Sequence, residues 1–292
     1  MSGRFEKARK AKPPKPPREK KPRKKMQRPG WKTLLLLLLN ITFAALSVLC
    51  TARLTEYRSL LLTQEAAARW RGGSEARFAQ VSVFLPVDGT IDKDAVRTFR
   101  SALDQAMVDA SLEAPEGGSL WQDAYCGTAA SVAVSGPAGK ATVKTYGVGG
   151  DFFLFHPLTL LSGSYISERD FVNDRVVLDE NLAWQLFGSS DVAGMEVTIG
   201  ERTYPVAGVV RLESDKASKK AQTEPAMLFM SYDALNAVQE TKIDTYEIVL
   251  PDPISGYALS VVQGKFPVGN GVAVENSNRY SALSLAKVAL DY

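Results

Sequence analysis

The stretch RVVLDENLAWQLFGSSDVAG, Arg175 to Gly194, decides how the middle of this chain folds. Val176 to Leu178 is a β-branched run that predicts a buried strand, and Asp179 directly after it is a residue type that caps helices. Apolar residues then recur at helical spacing until Gly188, which favours a left-handed helix end. The stretch contains no nucleophile or ligand cluster, so it predicts a rigid strand and helix and not the wall of an active site.

Charge is distributed unevenly along the 292 residues. Residues 1–32 hold fourteen Lys or Arg and two Glu, a formal charge of about +12, whereas the whole chain carries +3. The remainder therefore carries about −9 and is acidic. The tail is also rich in proline, so we expect it to be a disordered, basic cytoplasmic segment. We attribute its charge to membrane topology and anionic lipid, and we expect no nucleic-acid partner.

Residues 33–52 contain no charged side chain and include six consecutive leucines. As a helix rising about 1.5 Å per residue, this segment is roughly 30 Å long, which matches the hydrocarbon core of a bilayer. We predict a single transmembrane helix here, with Trp31 and Lys32 at the membrane interface. The basic tail keeps the N-terminus in the cytoplasm. The expected location is therefore the cell membrane, single-pass, with an extracytoplasmic body.

Two other interpretations of the apolar segment fit less well. A cleaved signal peptide has a short basic region and an apolar core of about 7–15 residues, and both features are longer here. The sequence SVLC allows a lipoprotein acylated at Cys50, but Ser47 and Leu49 match that processing signal poorly. Cys126 is the one cysteine of the body, so no internal disulfide framework is expected.

The body is predicted to be α+β. Two β-α-β units occur in it, at residues 77–148 and 239–278. Two such units can form one ferredoxin-like sheet, which requires the strand at 77–86 to pair with the strands within 245–275.

Residues 149–238 differ from both units and predict an inserted mixed α/β subdomain. The GVGG stretch at 147–150 is interpreted as a flexible joint at its start. A hairpin with its turn at Gly200-Glu201 follows the strand and helix described first. The polar residues 213–224 then predict an exposed loop.

Helical segments are expected on both sides of this body. Residues 53–76 keep helical character and predict a helical stalk that ends at Gly72-Gly73. Residues 279–292 predict a C-terminal helical stub, within which no stretch is long enough to cross a bilayer.

A search for chemical motifs gives negative results. His156 is the only histidine, and we interpret it as a packed side chain because bases and ligands need partners. The chain has too few His and Cys for the common zinc sites, and it has no G-x-S-x-G motif. GPAGKA at 136–141 is a turn, since Val134 and Ala141 replace residues that a phosphate loop requires. We therefore expect no enzyme activity, no catalytic, cofactor-binding or metal-binding residues, and no cofactor.

The order of these pieces resembles the extracytoplasmic core domain of permeases in the MacB/FtsX family of ABC transporters. The resemblance lies in GVGGDFFLFHPLTLLSGSYIS from Gly147 and in DRVVLDENLAWQLFGSSDVAGMEVTIGERTYPVAGVV from Asp174. Positions that match the family pattern are Phe152, Phe153, Leu160, Gly163, Val176, Val177, Leu178, Ala183, Leu186, Phe187, Gly188, Gly194, Val197, Ile199, Tyr204, Val206, Gly208 and Val209. With the basic end and the span, the resemblance reaches from about residue 30 to residue 280.

The resemblance implies a non-catalytic mechanical coupler. In such permeases a cytoplasmic ATPase drives four membrane helices, and the outer domain transmits the motion to a substrate or partner. Residues 77–148 and 239–278 would form its porter-like subdomain, with 149–238 inserted. The implied partners are the lipid bilayer, a cytoplasmic ABC ATPase, a multi-span permease subunit and a second copy in a homodimer.

The sequence departs from the family pattern at its end. The three further spans do not occur before Tyr292, which leaves a split subunit, a truncated permease and a fragment as hypotheses. The substrate is open among peptides, lipoproteins, lipids and drugs. An alternative function is a single-span surface sensor or peptide-binding protein with no ATPase partner. A membrane-anchored hydrolase is a third hypothesis, but no group of residues supports it.

Overall fold

A computed structural model describes residues 30–59, 62–72, 76–86, 89, 91–114, 118–212 and 226–277, in two compact units that divide after Glu56. The first unit contains most of helix α1 (Trp31–Ser59). Its segment Trp31–Arg53 is long and apolar enough to cross a membrane, which agrees in length and composition with the predicted span. The predicted basic tail up to residue 29, the loop at 213–224 and the stub at 279–292 lie outside the described residues.

The second unit is a mixed α/β body built on one ten-stranded sheet. Its helices are α2 (Ala66–Arg71), α3 (Lys93–Asp109), α4 (Phe152–Phe155), α5 (Glu180–Phe187), α6 (Tyr232–Val238) and α7 (Tyr257–Lys265). Its strands are β1 (Phe78–Phe84), β2 (Gln122–Ser135), β3 (Lys140–Gly150), β4 (Thr159–Gly163), β5 (Val176–Asp179), β6 (Glu196–Ile199), β7 (Arg202–Arg211), β8 (Met227–Ser231), β9 (Thr245–Pro251) and β10 (Val272–Glu275).

The sheet has two halves that share strands β2 and β3. The first half has the order β10-β1-β9-β2, with every neighbour antiparallel. The predicted pairing of the strand at 77–86 with the strands within 245–275 is confirmed, for example by Val81 opposite Ile248 on one side and Glu275 on the other. The second half continues as β3-β8-β5-β7-β4, and β6 pairs with β2 and β7.

Helices cover both faces of this sheet. Apolar residues of α3 and α7 pack on one face of the first half, and those of α5 and α6 pack with the second half. Residues of α2 and α4 form a separate cluster with side chains from both halves, including Val249 of β9 and Phe229 of β8. Consequently α2 and α4 bridge the two halves.

Strand β3 passes through the boundary that the sequence places at residue 149. Its last residue, Gly150, pairs with Ala124 at the start of β2, so both halves share this hairpin. The interpretation of GVGG as a flexible joint is wrong, because all four residues are strand. A side chain on Gly149 would overlap the ring of Tyr125, so this glycine serves close packing.

The predicted helical stalk at 53–76 is not one continuous helix. Helix α1 ends at Ser59, a 3₁₀ helix covers Leu62–Gln64, and α2 begins at Ala66. Ala66 and its neighbour Ala67 are buried in the cluster between α2, α4 and the sheet. The second part of the segment therefore belongs to the folded body. It ends at Gly72, which has a positive φ of 54°.

Asp179 caps helix α5 as the sequence predicts. Its Oδ1 accepts a hydrogen bond from the backbone N–H of Leu182 at 2.6 Å, and the helix ends at Gly188 with a φ of 74°. Its Oδ2 accepts a second bond from the N–H of Met227 at 2.7 Å, so the same carboxylate holds the start of β8. Burial raises the pKa of Asp179 to about 6, against the opposing effect of these N–H donors.

Replacing Asp179 with alanine should lower the free energy of unfolding by about 2–4 kcal/mol, because two buried N–H groups lose their acceptor. Asp179→Asn keeps one acceptor oxygen and should cost less. Because the pKa of Asp179 is raised on folding, the stability of wild type relative to Asp179→Asn should fall as pH rises from about 4 to about 6. Urea unfolding at several pH values measures both effects. A relative stability that rises over this range would contradict the assignment.

Candidate functional site

The first half of the sheet has one apolar face and one face that carries both polar and apolar side chains. Val81 and Val83 of β1 point into the core beneath α3 and α7. The alternate residues Gln80 and Ser82 lie on the other face beside Glu247 of β9, and all three are buried. Buried polar side chains need hydrogen-bond partners, so the residues around them form a defined polar site.

Glu247 is the centre of this polar site. Its Oε1 accepts a hydrogen bond from Ser82 Oγ at 2.7 Å and a longer one from Gln80 Nε2 at 3.4 Å. Its Oε2 lies 2.5 Å from Nε2 of His156, and Asn276 Nδ2 donates to Ser82 Oγ at 2.8 Å. Burial alone raises the pKa of Glu247, but the charge and hydrogen bond of His156, with the bonds from Ser82 and Gln80, outweigh burial and lower it.

His156 combines the predicted packing with a hydrogen-bonded contact that the sequence does not reveal. Its ring stacks on Phe152, with ring centroids 4.4 Å apart, as expected of a packed histidine. Its Nε2 nevertheless pairs with Glu247, and the side chain remains 27% exposed. The two residues are 91 positions apart. Only the approach of α4 to β9 brings them together, so no local sequence pattern signals the pair.

Two cavities open next to His156. One has a volume of about 300 Å³ and is mostly apolar, with Tyr146, Phe152 and Phe229 in its wall. The other has a volume of about 560 Å³ and contains the polar groups of Ser82 and Glu247. The site can therefore hold polar and apolar groups side by side.

The side chains of the polar site form hydrogen bonds with one another. The Ser82 hydroxyl donates to the carboxylate of Glu247 and accepts from Asn276, so it acts as both donor and acceptor within the site. In the described part of the chain, no group of three or more His, Cys, Asp or Glu side chains could hold a metal ion. Cys126 is buried, which raises the pKa of its thiol.

A second ionic cluster lies on the face of the sheet that carries α3. Arg100 of α3 makes a bidentate pair with Asp123 of β2, at 2.8 and 2.9 Å, and donates to Glu168 at 2.8 Å. Glu168 lies between β4 and β5, and it also accepts from Tyr125 Oη and the N–H of Gly150. Burial opposes ionisation of Glu168, but Arg100 and these donors lower its pKa to about 2. Arg100 therefore links the first half of the sheet, through Asp123, to the segment between β4 and β5 of the second half, through Glu168.

The chain is similar to one known protein family and to several solved structures. The family model described as the MacB-like periplasmic core domain matches residues 63–260. The periplasmic region of MacB from Actinobacillus actinomycetemcomitans is 17% identical, with a TM-score of 0.47, over 73% of this chain and 92% of that one. The extracellular domain of the ABC-type transporter YknZ from Gram-positive bacteria is 13% identical, with a TM-score of 0.43, over 63% and 88%. No curated protein matches the chain.

Proposed function

Because this chain belongs to the MacB-like periplasmic core domain family, whose members are parts of transporter permeases and not catalytic enzymes, we propose that it couples ATPase-driven motion to an outer substrate or partner. It would do so as the extracytoplasmic part of a MacB/FtsX-type permease. The observation that carries the proposal is the order of two features: the apolar helix segment Trp31–Arg53 directly precedes the matched region 63–260. A body anchored in this way can receive motion from the membrane.

We further propose that residues 77–148 and 239–278 form a ferredoxin-like, porter-like subdomain and that 149–238 is an insertion. The strand order β10-β1-β9-β2 supports this division, because two β-α-β units pair in this order in a ferredoxin-like sheet. The crossover helices α3 and α7 lie on the same face and share one apolar core, as the topology requires. The insertion begins within the shared strand β3.

The contacts of Gln80 also support a role in coupling. Its Nε2 donates to the carbonyl oxygen of Thr63, which follows the apolar helix, at 2.7 Å. Its backbone N–H donates to Ser277 Oγ at 2.9 Å, and its carbonyl accepts from the N–H of Asn276 at 2.8 Å. The first and last described segments of the body thus meet at one residue of β1. A displacement of either segment would act on the same point of the sheet.

Cysteine labelling tests the proposed topology. In a Cys50→Ala background, we expect Glu201→Cys, at the exposed turn between β6 and β7, to react with a membrane-impermeant maleimide on intact cells. Ser2→Cys should react only after lysis. Cys126 is buried and provides the unreactive internal control. The reverse labelling pattern would contradict an extracytoplasmic body.

Affinity purification in mild detergent tests the proposed partners. We expect the tagged chain to retain an ABC ATPase and a multi-span membrane protein. An unrelated single-span protein with the same tag, purified in the same way, is the control for non-specific retention. Purification of the chain alone, without either partner, would favour the single-span sensor or peptide-binding alternative.

A further inference from the structure

Hydrogen bonds, together with the backbones of α2 and α4, form a closed ring that joins α2, the sheet and α4. We call it the polar ring and define it by the side chains of Arg69, Gln80, His156 and Glu247. It lies on the face of the sheet that α2 and α4 cover.

On the side of α2, the ring depends on the orientation of one amide group. Gln80 Oε1 accepts from the backbone N–H of Ala66 at 2.9 Å, and Gln80 Nε2 donates both to the carbonyl of Thr63 and to Glu247 Oε1. The two acceptors hold the NH₂ group in place, and this leaves the amide oxygen directed at Ala66. Loss of the Glu247 acceptor would release one of the two contacts that fix this orientation.

On the side of α4, the ring has two contacts. His156, at the end of α4, pairs with Glu247 Oε2 at 2.5 Å. Arg69 of α2 closes the ring by donating from Nη2 to the carbonyl of Leu154 at 2.6 Å, and its Nη1 donates to the carbonyl of Leu62 at 2.5 Å. Helix α4 has only four residues, so its position depends on such tertiary contacts and not on its own stability.

We propose that Glu247 is a positioning residue that couples α4 energetically to α2. Its carboxylate binds His156 through one oxygen and Gln80 and Ser82 through the other, and the residue is only 6% exposed, so these three partners fix its orientation. When the contact between His156 and Glu247 is lost, the carboxylate of Glu247 can therefore rotate away from Gln80. The amide of Gln80 is then less well oriented, which weakens its hydrogen bond to the N–H of Ala66. This inference rests on the proposed function, because within a permease domain the coupling would transmit motion between α4 and α2.

Amide hydrogen exchange of the full chain in detergent micelles tests the proposal. We expect His156→Ala to accelerate exchange at the N–H of Ala66 at least tenfold, although the side chain of His156 bonds to Glu247 and not to α2. The N–H of Leu182, which Asp179 caps elsewhere in the body, is the internal reference and should not change. His156→Gln keeps a donor toward Glu247 and should restore slow exchange at Ala66.

A double-mutant cycle with Gln80→Ala separates coupling from general loosening. Gln80→Ala removes the acceptor of the Ala66 N–H, so adding His156→Ala should then have no further effect on that amide. Additive effects, equal acceleration at Leu182, or unchanged exchange at Ala66 would each overturn the proposal. Should His156→Ala not fold, His156→Asn takes its place, because asparagine is too short to reach Glu247. The measurement needs no ATPase, so it can fail while the partner experiment succeeds, and the reverse also holds.

Discussion

Arg100→Met is expected to lower the free energy of unfolding by about 3–5 kcal/mol, because it leaves the buried carboxylate of Asp123 without its cation and leaves Glu168 with the more distant Lys93, whose Nζ lies 3.6 Å from Oε1. Both carboxylates are largely buried, and Arg100 itself is only 26% exposed. Methionine replaces the stem of the arginine, so loss of packing contributes little. Denaturant unfolding monitored by circular dichroism measures the loss.

Arg97→Met on the same helix is the matched control. Arg97 pairs with Asp94 three residues away, with exposures of 68% and 82%, so its removal should leave stability close to that of wild type. Because the pKa of Glu168 is lowered to about 2, the stability it contributes is present above about pH 4.5 and is lost as pH falls toward 2. The difference between Arg100→Met and wild type should therefore narrow in acid. Equal losses for the two arginine variants would refute the role of Arg100.

Gly163→Ala should lower stability by more than about 4 kcal/mol or prevent folding, since a backbone clash adds to conformational strain. Gly163 has a φ of 73°, and an added Cβ would overlap the carbonyl oxygen of Ala207 and lie 2.8 Å from Cα of Gly208. Both obstacles are backbone atoms of β7, which pairs with β4 at this point, so neither can move aside. Thermal unfolding and the yield of folded protein measure the effect.

Gly188→Ala isolates the contribution of the clash. Gly188 has almost the same φ, 74°, but nothing lies within 4 Å of an added Cβ. Only the cost of the left-handed conformation applies, about 1–2 kcal/mol. If the two variants lost equal stability, the close approach of β4 and β7 at Gly163 would not be the cause.

The sequence by itself determined the local elements of this protein. Spacing of apolar residues, the cap at Asp179, the left-handed end at Gly188 and the turn at Gly200 depend on neighbours within a few residues, and the structure has each of them. Composition alone likewise identified the apolar helix, and the order of elements pointed to the MacB-like family that the family model then matched. Even the pairing of two distant β-α-β units followed from their repetition.

The tertiary structure alone decided which side chains meet. Glu247 and Ser82 are 165 positions apart, and they touch because antiparallel pairing sets β1 beside β9 in one register. Pairing with β2 made GVGG a strand, and the burial of Ala66 made half of the expected stalk part of the body. Periodicity records which residues of an element are buried. It does not indicate which other strand or helix covers those residues, because strand order and helix packing depend on the whole sheet.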